Sequence, residues 1–256
     1  MAHSELSEAP AFTMLTDSVV LGLVALATSS VSAVLGLGGG VILMLLLPGW
    51  LPLSAIVPIH AQVQFFSNAS RVVFDPSHIA WQLFLPLLFG SAVGGLVGAQ
   101  WVDAISLSLL PFFSGIAILV VTWVSIPAPL LKGSWTSIFL GFYQTGIGML
   151  AGATGPLGAA VLGQYKQQRD WLVVNTGLYM MINHGVRTVV FGFLGFAFGQ
   201  WWHVIFAMSI GSILGSWIGT RGRKIMPPTD FQLVFRWVVT ILACRMIWLS
   251  YPEVFR

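Results

Sequence analysis

The sequence predicts an all-α protein that crosses a membrane several times. Hydrophobic residues make up 57% of the 256 residues and charged residues only 7%, whereas a soluble domain carries roughly 25% charged residues. A β-barrel would alternate apolar and polar residues over about ten positions in each strand, but the apolar stretches here are continuous. Eight stretches have about the 20 residues that a spanning helix needs: residues 17–47, 53–74, 79–101, 107–126, 134–163, 171–191, 198–219 and 231–251.

The same composition excludes several classes of function. Charged residues are too few to cover a soluble surface or to keep a chain disordered. Eleven basic residues against eight acidic ones, a net charge of +3, are too few for a nucleic-acid-binding face. The single cysteine, Cys244, excludes an internal disulfide and a multi-cysteine metal site, and we expect no metal or cofactor. Residues 1–12 lack the basic segment of a signal peptide and are expected to form a flexible tail.

The two halves of the chain present similar features in the same order. A shift of 116 residues places Arg71 on Arg187 and Gly36 on Gly152. In each half a Gly-x3-Gly-x3-Gly segment follows, and we interpret both segments as helix-packing surfaces. Chance similarity between apolar, glycine-rich segments is the alternative, but the shared order of three features favours a duplication, which is common among transporters. The expected repeats are residues 13–130 and 131–256.

The positive residues indicate how the two repeats are oriented. Loops that face the cytoplasm are enriched in Lys and Arg, yet the first-repeat loops at 48–52 and 101–106 contain none. Parallel repeats would place these loops on the same face as the basic loops of the second repeat. Inverted repeats, which require each glycine break to turn back or to count as two crossings, are therefore preferred. They place six basic residues on one face: Lys132, Lys166, Arg169, Arg221, Arg223 and Lys224.

A glycine-rich break interrupts the first apolar stretch of each half. Residues 35–40 have the sequence Leu-Gly-Leu-Gly-Gly-Gly, and each glycine costs about 1 kcal/mol in a helix interior, so we expect the helix to unwind and restart near Val41. In the second break, Thr154 or Gly155 is expected to cap a helix that starts at Pro156. Close helix packing through small residues is the alternative.

Unwound backbone at membrane depth must line a cavity or be buried in protein. Its free N–H groups and the positive end of the new helix favour an anion. Each half therefore offers one helix N-terminus near the middle of the membrane, a recurring device of transporters.

Polar side chains accompany both matched arginines at steps of three or four residues. Acidic residues lie only at the ends of apolar stretches or in loops and tails, so a ligand is the natural source of negative charge for a buried arginine. Snorkelling to the head groups is the alternative for both arginines, and His184 is expected to be an interhelical hydrogen-bonding residue. The predicted substrate-binding residues are Gly38, Gly39, Gly40, Gln64, Asn68, Arg71, Thr154, Gly155, Tyr179, Asn183 and Arg187.

Three features of the chain carry a resemblance to a known family. They are residues 32–40 (SAVLGLGGG), the prolines Pro48 and Pro52, and the glycine-rich residues 146–156. In these features the chain resembles the sulfite exporter TauE/SafE family of membrane permeases, over about residues 17–251. The resemblance implies transport of sulfite or organosulfonates, such as sulfoacetate, across the bacterial inner membrane, whereas the residues alone indicate only a small oxyanion.

We therefore expect a secondary transporter, an exporter of small sulfur-containing anions, that works by alternating access. An uptake permease for another carboxylate or oxyanion, coupled to protons or sodium, is the alternative. An enzyme is not expected, because the sequence contains no Gly-x-Ser-x-Gly or His-Glu-x-x-His motif and no paired acids. The expected partners are the anion and membrane lipids; nucleic acid is excluded and a homodimer is left open.

Overall fold

The computed structural model describes residues 14–102, 134–152 and 168–223, together with isolated positions at 112–123, 158, 162 and 237–248. The expected tail at 1–12 and most of the stretches at 107–126 and 231–251 lie outside the described residues. Seven α-helices and no strand occur in the described part of the chain. The helices are α1 (Met14–Leu35), α2 (Gly39–Leu46), α3 (Leu53–Phe74), α4 (Phe84–Val102), α5 (Ser134–Ala151), α6 (Arg169–Phe193) and α7 (Trp202–Gly222).

Several of these helices have the length and composition of membrane spans. Three segments are long and apolar enough to cross a bilayer: Thr16–Leu35, Trp81–Val102 and Phe198–Gly222. Helices α3 and α6 have 22 and 25 residues, enough to span about 30 Å of hydrocarbon, but they carry more polar side chains. They pack against other helices, α3 against α2, α6 and α7, and α6 against α3, α4 and α5. The predicted all-α polytopic membrane fold is confirmed.

The glycine ladder of α4 packs directly on α5. Gly90 lies against the backbone of Ile138, and Gly94 lies against the backbone of Phe142. A Cβ atom at either glycine would collide with a backbone carbonyl, so only glycine permits this approach. Because both contact positions advance by four residues, α4 and α5 run in the same direction.

The second ladder, in α7, packs on α1 in the same way. Gly211 lies against the backbone of Gly22, and Gly215 lies against the backbone of Leu26. These contact positions also advance together, so α1 and α7 are parallel. Both ladders therefore have the packing role expected from the sequence.

Helices α3 and α6 cross the centre of the bundle in opposite directions. The His60 and His184 rings are 5.5 Å apart, whereas further along α3 the carbonyl of Asn68 lies beside Gly177. Hydrogen bonds between residues that advance together make α1 parallel to α3 and α5 parallel to α6: Ser29–Ser67 and Ser32–Arg71 for the first pair, Thr145–Asn183 and Gly148–Arg187 for the second. Thus α1, α3 and α7 run in one direction, and α4, α5 and α6 run in the other.

The chain reverses direction between α1 and α2. Gly36 and Gly38 have φ values of 83° and 101°, in the left-handed region that glycine adopts without steric cost. Gly39, the first residue of α2, already lies against the carbonyl of Thr28, which is two turns before the end of α1. Helix α2 therefore turns back beside α1. The predicted break is present, and the new helix starts two residues before Val41 because Gly38 takes the N-cap position.

Candidate functional site

Arg71 closes the end of α1 from the last turn of α3. Its side chain is buried, with only 4% of the residue exposed, so it does not reach the head groups. The guanidinium donates to the carbonyl oxygens of Ser32 (3.3 Å) and Gly36 (3.1 Å), and also to Oδ1 of Asn68. The last carbonyls of a helix have no partner within the helix, and Arg71 supplies one here.

Arg187 closes the end of α5 in the same manner. It is 1% exposed, which also excludes snorkelling. One terminal nitrogen donates to the carbonyl oxygens of Gly148 and Gly152, both at 2.6 Å. The other terminal nitrogen donates to Nδ1 of His184.

The two arginine centres use residues at equal separations along the chain. Gly36 and Gly152, which follow α1 and α5, both have positive φ values, 83° and 72°. Four residue pairs that are 116 positions apart play matching roles: Ser32 and Gly148, Gly36 and Gly152, Asn68 and His184, Arg71 and Arg187. The sequence match thus corresponds to a match in contacts.

Neither arginine is neutralised by a carboxylate among the residues that the structure describes. Arg223 provides the contrast, since its guanidinium lies 3.3 Å from Asp75 and 3.0 Å from Asp170. A buried cation with only neutral partners bears a desolvation cost that an opposite charge would offset. The negative end of α1 supplies roughly half a charge, and the positive end of α2 returns a similar amount. The Arg71 centre therefore keeps a net positive charge that suits an anion.

A narrow cavity of about 20 Å³ adjoins the Arg71 centre, between the α1–α2 hairpin, α3 and α6. That volume holds roughly one water molecule, so the site is occluded in this conformation and an oxyanion needs some opening of the helices. Its polar lining consists of Ser32, His60, Gln64, Asn68, Arg71, Thr176 and His184.

Five of the predicted residues meet at this cavity: Gly38, Gly40, Gln64, Asn68 and Arg71. Gly39 does not line it, because this glycine faces α1. Arg187 lies at the second arginine centre described above. Thr154 and Gly155, predicted for that second centre, lie outside the described residues.

Tyr179 and Asn183 belong to a different network, between α4, α5 and α6. The Tyr179 hydroxyl donates to Oε1 of Gln144 at 2.8 Å. Oδ1 of Asn183 accepts from Ser91 at 3.2 Å and from Thr145, and its amide nitrogen donates to the carbonyl of Tyr179 at 2.7 Å. Both side chains are buried, and neither lines the cavity beside Arg71.

Of the polar residues that line the cavity, Ser32 was absent from the predicted site, and so were three residues that the sequence could have indicated: His60, Thr176 and His184. The 116-residue shift contained a signal for them, because it aligns His60 with Thr176 and Asn68 with His184. All three side chains are buried. Among the described residues, Nδ1 of His60, Nε of Arg71 and the Thr176 hydroxyl have no hydrogen-bond partner, which leaves three unused polar atoms on side chains that line the cavity.

A charged cluster joins the ends of α3, α6 and α7 at one end of the bundle. Burial acts to raise the pKa of the Asp75 carboxyl, but hydrogen bonds from His78 and Ser77 and the charges of His78 and Arg223 outweigh it, so the pKa lies below its usual value. Asp75 and Asp170 together hold the buried Arg223. The cluster therefore ties three helix ends together.

Comparison with known proteins agrees with this architecture. Residues 21–246 match the model of the family described as sulfite exporter TauE/SafE. No curated protein and no solved structure gives a significant match. No group of three or more His, Cys, Asp or Glu side chains suited to a metal ion occurs within the described ranges. The match spans most of the chain, and the protein therefore belongs to the sulfite exporter TauE/SafE family of membrane transporters.

Proposed function

We propose that this protein is a secondary transporter that exports small sulfur-containing anions, such as sulfite or organosulfonates including sulfoacetate. The observation that carries this proposal is the pair of buried arginines whose partners, in the part of the chain described, are all neutral. The family match supports an anionic, sulfur-containing substrate.

The anion binds in the cavity beside Arg71 when the helices open. Arg71 supplies the countercharge, and Asn68 and Gln64 orient the oxygens by hydrogen bonds, since all three line the cavity. The first N–H groups of α2 have no partner within the helix, and that of Gly40, which lines the cavity at the positive end of the helix, suits an anion oxygen. Arg187 supplies the countercharge at the second centre, and Thr154 and Gly155, which lie outside the described residues, are predicted from the sequence to donate hydrogen bonds to the anion there.

We also propose that the two halves are inverted repeats, residues 13–130 and 131–256. Three helix pairs correspond under the sequence shift: α1 with α5, α3 with α6, and α4 with α7. In each pair the two helices run in opposite directions, as the contacts in the fold require. A parallel duplication would give the same direction in each pair.

The basic residues orient this arrangement in the membrane. Arg169 begins α6, and Arg221 and Arg223 end α7; because α6 and α7 run in opposite directions, all three lie on one face. The helix ends that the structure describes on the opposite face, near Leu53, Val102 and Trp202, carry no Lys or Arg. The enrichment of cytoplasmic loops in Lys and Arg places the Arg223 face in the cytoplasm, with the Arg71 centre nearer to it and the Arg187 centre nearer to the outside.

Transport then proceeds by alternating access, with the two arginine centres reached from opposite faces. A membrane potential that is negative inside, as across the bacterial inner membrane, favours exit of a monovalent anion by about 2.3 kcal/mol per 100 mV. This bias supports export as the direction of net flux.

Purified protein in liposomes tests the proposal. Vesicles are loaded with sulfite or sulfoacetate, and efflux is followed while a potassium gradient with valinomycin sets the potential. We expect protein-dependent efflux of these anions that phosphate does not replace. Flux confined to carboxylates such as acetate would favour the uptake-permease alternative, and no anion flux above that of empty liposomes would contradict the proposal.

A further inference from the structure

The two histidines at the centre of the bundle differ in what their nitrogens do. Nε2 of His60 lies 2.8 Å from the carbonyl oxygen of Gly40, and a carbonyl only accepts, so Nε2 carries the hydrogen. Nδ1 of His184 lies against the guanidinium of Arg187, which only donates, so this Nδ1 carries no hydrogen. Both rings are neutral in this conformation: Nδ1 of His184 accepts from Arg187, and a hydrogen on Nδ1 of His60 would have no acceptor among the described residues.

Only His60 keeps a free proton-accepting atom. Its Nδ1 is buried and has no hydrogen-bond partner in the described part of the chain, and the residue lines the cavity beside Arg71. The lone pair of His184 Nδ1 is occupied by Arg187. His60 thus offers the site's vacant position for a proton.

The charged groups around His60 determine when its Nδ1 binds a proton. Arg71 faces the same cavity from α3, and Arg187 and His184 face His60 from α6. None of the cavity-lining residues of α1 and α2 is titratable. An imidazolium at position 60 would therefore lie between two guanidinium groups, with no negative partner among the residues that the structure describes. An anion in the cavity would remove this repulsion and accept the new Nδ1–H bond.

We propose that His60 is a proton-binding site coupled to the transported anion, so that one proton crosses the membrane with each anion. The inference rests on the proposed function. The proton comes from water on the side where the anion enters, binds Nδ1 of His60 while the anion is present, and leaves to water with the anion. A doubly charged anion, such as sulfite or sulfoacetate, then moves with one net negative charge, which the membrane potential still drives outward.

Proton uptake on anion binding tests this site directly. Purified protein in a weakly buffered detergent solution at pH 7 is titrated with sulfoacetate, which is fully ionised at that pH, while a pH indicator reports bound protons and thermal stabilisation reports bound anion. The wild type is expected to take up about one proton per bound anion. His60→Gln, whose amide nitrogen can still donate to Gly40, is expected to bind the anion and lose the proton uptake.

Two further variants separate His60 from the other histidines. His184→Asn copies the Asn68 side chain that serves Arg71, and because His184 lines the cavity its anion affinity can change; the number of protons taken up per bound anion is expected to stay near one. His203→Gln, at an exposed position on α7, controls for loss of any histidine and also keeps it. Anion binding by the wild type without proton uptake, or full uptake by His60→Gln, would overturn the inference alone. No binding of sulfoacetate or sulfite by the wild type would overturn the proposed function as well.

Discussion

Arg71 and Arg187 each donate from one terminal nitrogen to two backbone carbonyls at the end of a helix, and the two sets of residues are 116 positions apart. In both cases the helix ends at a glycine with a positive φ. The arginine therefore serves two purposes, since it satisfies orphan carbonyls and holds an uncompensated charge where the backbone is broken. Substitutions at these arginines and glycines should therefore affect both stability and transport.

The reversal after α1 depends on the backbone freedom of Gly36. Alanine at a left-handed φ costs about 1–2 kcal/mol, and its Cβ would also lie 3.0 Å from Cγ2 of Val173. Gly36→Ala is therefore expected to lower the thermal midpoint in detergent and to slow anion flux. Gly49→Ala is the control, because nothing lies within 4 Å of its new Cβ. Equal midpoints for the two variants would contradict the assigned role of Gly36.

Gly39 and Gly40 are adjacent but differ in what a methyl group would meet. At Gly39 the Cβ would collide with the Thr28 carbonyl, which is backbone and cannot move aside, so we expect a loss of about 1–3 kcal/mol of stability. At Gly40 it would lie 2.9 Å from the flexible amide end of Gln64. Gly40→Ala should therefore fold, and its methyl group in the cavity should reduce flux. Thermal midpoints and flux rates of both variants check whether Gly39→Ala is the less stable of the two. A Gly39→Ala protein with wild-type stability and flux would contradict this prediction.

Two loops at corresponding positions of the proposed repeats should face opposite sides of the membrane. Ser77 lies between α3 and α4, and Gln200 lies between α6 and α7, both exposed. In a background with Cys244→Ser, we expect Ser77→Cys to react with an impermeant thiol reagent only from the cytoplasmic side, and Gln200→Cys only from the outside. Labelling of both cysteines from the same side would contradict the inverted arrangement.

Acid should loosen the charged cluster that Asp75, Asp170 and Arg223 form at one end of the bundle. Because the pKa of Asp75 in the folded protein lies below the usual 3.8, its contribution to stability is present above that usual value and is lost as the pH falls through the lowered one. Between pH 5 and 3 the thermal midpoint of the wild type should fall more steeply than that of Asp75→Asn. Asp17→Asn, at the start of α1, should follow the wild-type curve. Identical slopes for the wild type and Asp75→Asn would contradict the role of Asp75.

Much of the architecture was predictable because its causes are local. Apolar stretches of bilayer length identify spanning helices, and three successive glycines interrupt a helix wherever they lie. The position of Arg71 and Arg187 within apolar segments favoured burial, but it also fitted snorkelling to the head groups, and only their contacts decided between the two. The direction of α2 was not predictable, since it depends on the φ values of Gly36 and Gly38 and on contacts with α1.

On α6, the sequence did not decide which of two neighbouring helix faces lines the cavity. Two series of residues precede Arg187 at steps of three or four. One is Thr176, Tyr179 and Asn183, and the other is Thr176, Met180 and His184. Neighbouring residues are about 100° apart around an α-helix, so these two series face different helices. The cavity takes the second series, which the alignment of Asn68 with His184 favours. The backbone carbonyls that bind both arginines could not be predicted, because a backbone contact does not depend on the side chain of the residue that makes it.

The rate of sulfite flux through liposomes that contain Arg71→Gln or Arg187→Gln tests the central claim, that these two arginines supply the charge for the anion. Rates are normalised to folded protein, and Arg221→Gln, which removes an arginine stacked 3.5 Å from the Trp217 ring at the surface, is the control. We expect each buried variant to lose at least about tenfold in rate, equivalent to about 1.4 kcal/mol, while the control keeps the wild-type rate. Wild-type flux in both buried variants would contradict the account.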